Sequence, residues 1–133
     1  MLIEWDDQKF GTGFEEIDAQ HKELFRRINL LTEAIQRNPL AKAEAGNLMY
    51  FLDDYVKQHF ACEEGVMERH HCSACPRNKA DHTGFVKSFK ELRLAFDREG
   101  ITPAFVDRIH RDVVEWIENH VAQVDTDLRT VAT

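Results

Sequence analysis

Residues 48–67 read LMYFLDDYVKQHFACEEGVM, and the spacing of their apolar members decides the fold. Leu48, Leu52, Tyr55, His59, Cys62 and Val66 recur in alternating steps of four and three, which is the stripe of an α-helix and not the alternation of a strand. A histidine stands inside that stripe, in register with leucine and valine, where an unpartnered polar side chain is unfavourable. Glu63, one turn after His59, poses the problem more sharply. Its neighbour Glu64 is rotated by about 100° and is expected on a solvated face.

The same reading extends in both directions. Ile17, His21, Leu24, Ile28, Leu31 and Ile35 mark an earlier helix that stops at Asn38-Pro39. Downstream, Arg69 to Pro76 is a loop, and Pro76 suits the first turn of a helix with Asn78, His82, Phe85, Phe89, Leu92 and Phe96 inward. Gly100 ends it. Thr102-Pro103 then opens a last helix with Val106, Ile109, Val113, Trp116 and His120 inward. The expected fold is all-α, an up-down-up-down antiparallel four-helix bundle. Residues 1–16 are expected to form an extended N-terminal arm laying Trp5, Phe10 and Phe14 over a bundle of residues 17–131. At 133 residues and 43% hydrophobic content, the chain suits a single domain, 1–133, with one core.

Charge excludes several partners. Seventeen Lys and Arg against 24 Asp and Glu give a net charge of -7, which repels phosphate backbones and anionic membrane faces. No apolar run approaches the roughly 20 residues of a membrane span. The opening MLIEWDDQKF lacks the basic flank and apolar centre of a signal peptide. The expectation is a cytoplasmic monomer with neither nucleic-acid nor membrane partner. Three cysteines are too few for a disulfide scaffold and suit a reducing compartment.

Each of the four stripes carries one imidazole: His21, His59, His82 and His120. One buried histidine is usually a hydrogen-bonded core residue; four, accompanied by Glu63 and Asp125, point to a bound cation. No Lys or Arg shares these stripes to neutralise the carboxylates, so a metal ion supplies the missing charge. Imidazole and carboxylate suit iron, with manganese and zinc as other occupants of such a set. Asp125 follows His120 by five residues and is expected to reach the seam through a local wide turn.

These residues resemble a known family. Ile17-Asp18-Ala19-Gln20-His21 is similar to the I-D-x-Q-H opening of bacterial hemerythrins. His59-Phe60, Glu63-Glu64 and Met67 resemble their H-F-x-x-E-E-x-x-M, and Trp116-Ile117 with His120 and Asp125 resembles their W-L-x-x-H and following aspartate. The likeness spans almost the whole chain. It implies two iron ions joined by an oxo or hydroxo bridge, one held by His21 and His59, the other by a third-helix pair and His120, with Glu63 and Asp125 bridging. It implies dioxygen as the ligand, taken up on the His21 and His59 side, and oxygen storage, delivery or sensing as the function, without catalysis. Phe60, Trp116, Ile117 and Val121 match positions lining the apolar oxygen pocket; ordinary core packing accounts for them equally well. The alternatives are a diiron enzyme acting on peroxide or nitric oxide, and a metal-free helical interaction module.

Two features depart from the family or add to it. The family's third helix carries an H-x-x-x-H pair, whereas here the segment reads Asn78-Lys79-Ala80-Asp81-His82. Asn78 is expected as a weak oxygen ligand or a group just outside the ligand set, beside water. A substitute ligand from the loop holding His70, His71, Cys72 and Cys75 ranks below that. Cys72 and Cys75 admit a redox switch, a small zinc site with His70 and His71, or two reduced thiols shaping a turn.

Overall fold

The computed structural model describes residues 3–37, 42–70 and 75–130. Along them run α1 (Asp7–Phe10), α2 (Glu15–Arg37), α3 (Lys42–Arg69), α4 (Cys75–Glu99), α5 (Pro103–Ile109), a π-helical segment (His110–Glu115), α6 (Trp116–Gln123) and a 3₁₀ helix (Asp125–Thr130). α5, the π segment and α6 run on from one another as the fourth helix of an all-α antiparallel bundle. α2 packs on α3, α3 on α4 and α4 on α5, as short connections between neighbours require. No strand occurs among the described residues.

The stripes expected in α2 and α4 are buried, Ile17 to Ile35 in one and Asn78 to Phe96 in the other. In α3 the buried face lies one residue to the side of the expected seam. Met49, Leu52, Val56, His59, Phe60, Glu63, Val66 and Met67 are buried, whereas Leu48, Tyr55 and Cys62 are only partly so. The large core cluster includes Leu24, Ile28, Met49, Leu52, Phe89 and Val113. A smaller one joins Ile17, Val66, Met67 and Leu128 at the other end. His21 in α2 and Glu63 in α3 fall between these clusters along their helices.

The fourth helix differs from expectation in an instructive way. Phe105, Ile109, Val113, Ile117 and Val121 are buried, at four successive steps of four, while Val106 and Trp116 are only partly buried. Four residues over-rotate a regular α-helix by about 40°, so such a run drifts off its face. The i→i+5 bonding of the π segment turns the chain less per residue and absorbs the drift. The wide turn therefore lies before His120, and not between His120 and Asp125 as the spacing suggested. Beyond Gln123 the backbone bends at Val124 (φ −113°, ψ −55°) and tightens to 3₁₀ geometry, which leaves Asp125 only 1% exposed.

The segment read as an extended arm contains a turn of helix. Asp6 caps α1 by accepting a hydrogen bond from the Gln8 amide at 2.9 Å, and α2 begins at Glu15, two residues ahead of Ile17. The arm does lay its aromatics on the bundle. Phe10 is buried against Trp5 and Phe25, and the Ile3 amide and carbonyl pair with the side-chain amide of Asn29, both at 2.9 Å. Thr102 caps α5 by accepting from the Phe105 amide at 3.0 Å, and Gly100, at φ 74°, ends α4 in the left-handed conformation glycine tolerates.

Candidate metal centre

Six side chains from all four bundle helices and the 3₁₀ helix meet in the interior, each at most 5% exposed. His21, His59, Glu63 and Asp125 form one group with donor atoms all within 4.8 Å of each other, and Glu63, His82, His120 and Asp125 form a second. The two carboxylates belong to both groups. His21 Nε2 lies 3.0 Å from Glu63 Oε2 and 3.1 Å from Asp125 Oδ2. His59 Nε2 is 3.3 Å from Glu63 Oε2, His82 Nε2 is 3.0 Å from Glu63 Oε1, and His120 Nε2 is 3.2 Å from Asp125 Oδ1.

Several of these contacts are close without being hydrogen bonds. Glu63 Oε1, His82 Nε2 and His120 Nε2 have no hydrogen-bond partner although they are buried. Buried polar atoms are almost always satisfied, so donor atoms gathered this tightly and left unsatisfied fit a cation between them. The six residues are therefore suited to a metal, and two groups sharing both carboxylates are suited to two ions.

The outward nitrogens of His59, His82 and His120 meet a group from behind, whereas His21 Nδ1 has no hydrogen-bond partner. Gln20 Oε1 lies 2.7 Å from His59 Nδ1; an amide oxygen only accepts, so Nδ1 carries the proton and Nε2 presents its lone pair inward. Glu64 Oε2 lies 2.9 Å from His82 Nδ1 and orients that ring in the same way. Glu64 is thus not the purely solvated neighbour its rotation suggested, because α4 brings His82 against that flank of α3. Asp81 Oδ2 approaches His120 Nδ1 at 3.5 Å. Gln20 and Glu64 both belong to the quoted sequence motifs, whereas Asp81 had no signal beyond lying one residue from a candidate.

Burial and charge act against each other in this cluster. Burial lowers the pKa of His59 and prevails over the pull of Glu63. For His21 burial also acts downward, but hydrogen bonds to Asp125 and Glu63 outweigh it and push the ring up to about 10. His82 is raised by Glu63 and Glu64 against the same burial. Burial pushes Glu63 upward, yet its close contacts with the His21, His59 and His82 imidazoles hold it well below the ordinary carboxylate range. Without a metal, protons on imidazole supply the positive charge that the carboxylates need.

Asn78 is fully buried, and its Nδ2 donates to Asp125 Oδ1 at 2.8 Å while its Oδ1 has no hydrogen-bond partner. His70 sits edge-on against Phe14, with ring centroids 4.9 Å apart, and is in neither donor group. His71 and Cys72 lie outside the described residues, as does the side chain of Cys75, and so does the redox or zinc reading of that pair. Cys62 is partly buried and accepts from Gln20 Nε2 at 3.3 Å. Of the four pocket candidates, Phe60 stacks on His82 and Trp116 on His120, at 3.7 and 4.6 Å between ring centroids, while Ile117 and Val121 are each 1% exposed.

Residues 12–132 match the family model described as the hemerythrin HHE cation binding domain. The chain is similar to the bacteriohemerythrin of Stenotrophomonas maltophilia, with 31% identity over 90% of this chain and 74% of that protein. It is equally similar to that of Aquifex aeolicus, at 31% identity over 90% of this chain and 88% of that one. A crystal structure of wild-type hemerythrin superposes with a TM-score of 0.83 at 28% identity, covering 99% of this chain and 98% of the other.

Proposed function

Since the chain belongs to the hemerythrin family of cation-binding domains, we propose that it holds two iron ions in its bundle core and binds dioxygen reversibly, as a store, carrier or sensor. The observation that supports this most strongly is the pair of donor groups sharing Glu63 and Asp125. In this reading His21 and His59 serve one ion, His82 and His120 the other, and the two carboxylates bridge. Bound iron would supply the electrons that dioxygen binding requires and recover them on release.

The remaining residues govern that chemistry by position. Gln20 and Glu64 hold Nδ1 of His59 and His82 from outside, so that Nε2 of each ring is aimed inward and a metal has only to displace a proton there. Phe60 and Trp116 cover the rings of His82 and His120, and with the buried Ile117 and Val121 they would form the apolar surface that keeps water and protons from a reactive centre. A metal-free interaction module is disfavoured because it leaves buried donor atoms unsatisfied.

The test is metal analysis followed by oxygen titration of the reduced protein. Two irons per chain with a visible band that appears under oxygen and disappears under vacuum support the reading. A chain that takes up no transition metal refutes it, and irreversible oxidation with consumption of peroxide favours an enzyme.

A further inference from the structure

We infer that Asn78 leaves the metal position served by His82 and His120 with an unfilled coordination place, so that small anions bind at both metal positions instead of at one. The inference rests on the two-metal reading above. Its starting point is the equality of the two donor groups: each has two imidazoles and the same two carboxylates. Two imidazoles with carboxylate and open positions form the donor pattern that leaves iron accessible to small molecules.

The side chain that stands nearest to filling the second position is turned to another task. Asn78 spends its amide Nδ2 on Asp125 Oδ1 at 2.8 Å. Reversing that amide would set its oxygen against a carboxylate oxygen. Its Oδ1, fully buried and without a partner, is an acceptor that an exchangeable water would satisfy, and such a water is what an entering anion displaces. No other described residue substitutes, since His70 packs on Phe14 and Asp81 meets the outer nitrogen of His120.

The surroundings on this side agree. One hollow of about 300 Å³ is lined by Lys57, Phe60, Glu64 and His82. Another, of about 290 Å³, is lined by Asp81, Phe85 and Trp116, the last stacked on His120. The first hollow reaches the His82 ring itself, and the second is parted from the His120 ring by Trp116 alone. The ligand class is a small anion or diatomic, and azide is the probe.

The protein is loaded with cobalt(II), its metal content is measured, and azide is titrated while the visible absorption is followed. Two cobalt ions and two azides per chain are expected, with the N78H variant falling to one azide because an added imidazole occupies the place. Two cobalt ions with a single azide in the natural chain overturn this inference and leave the two-metal reading standing. Fewer than two cobalt ions per chain refute both. Should N78H fail to fold, the azide count of the natural chain decides alone.

Discussion

Phe60 lies flat on His82, with ring centroids 3.7 Å apart and planes only 3° from parallel. The stack covers one face of an imidazole of the proposed centre beside a surface hollow that both rings line. Phe60→Ala is expected to lower stability by about 3 kcal/mol, the scale for removing a buried aromatic ring. It should also accelerate oxidation of the reduced, iron-loaded protein in air, followed by the decay of its spectrum. A variant with unchanged oxidation rate would deny Phe60 any shielding role.

Glu63 separates the metal account from a purely structural one. Its carboxylate is fully buried and reaches three imidazoles. Glu63→Leu should abolish uptake of the second metal ion and also destabilise the chelator-treated protein by about 3 kcal/mol, because it leaves the protonated His21 and His82 rings buried without their carboxylate partner. Urea midpoints of the metal-free proteins, beside metal content, test both halves.

The raised His21 ring predicts the sign of a pH dependence in the metal-free chain. Its pKa is about 10 when folded, against an ordinary value of 6.5, so the folded state holds a proton that the unfolded state has lost between those limits. Its contribution is complete below pH 6.5 and declines as pH rises through about 10. Metal-free protein is accordingly expected to lose urea resistance between pH 6.5 and 9.5, and His21→Phe should flatten that slope. A rising slope would contradict the assignment.

Gln20 and Glu64 act through the rings that they orient. Truncating either to alanine frees His59 or His82 to rotate, and groups in this position typically contribute 10–100-fold to metal affinity. Competition with a coloured chelator should show a loss of about that size in each variant while the helical circular dichroism is retained. No change in either would mean that the donor cluster is held by packing alone.

How much of this was legible beforehand varied with the reach of the interactions involved. The α4 stripe from Asn78 to Phe96 read correctly because it depends only on local periodicity and on Gly100 as a stop. The convergence of His21, His59, Glu63, His82, His120 and Asp125 was visible as polar residues on apolar stripes. The contact between Glu64 and His82 was not, because it depends on how α4 is set against α3. The π segment was missed for a different reason. A reading in steps of three and four chose Val106 and Trp116 for the interior, whereas the buried run from Phe105 to Val121 keeps steps of four that no regular helix sustains. α1 is a single turn, too short for periodicity to register.

That run of fours means that the fourth helix carries one residue of slack between His110 and Glu115. A chain shortened by one residue there would relax toward ordinary α geometry with Ile117 and His120 still facing inward. The same deletion placed between Trp116 and His120 would swing the imidazole by about 100° away from its carboxylates. Length variation in this helix is therefore tolerable on the side remote from the ligands and ruinous on the near side.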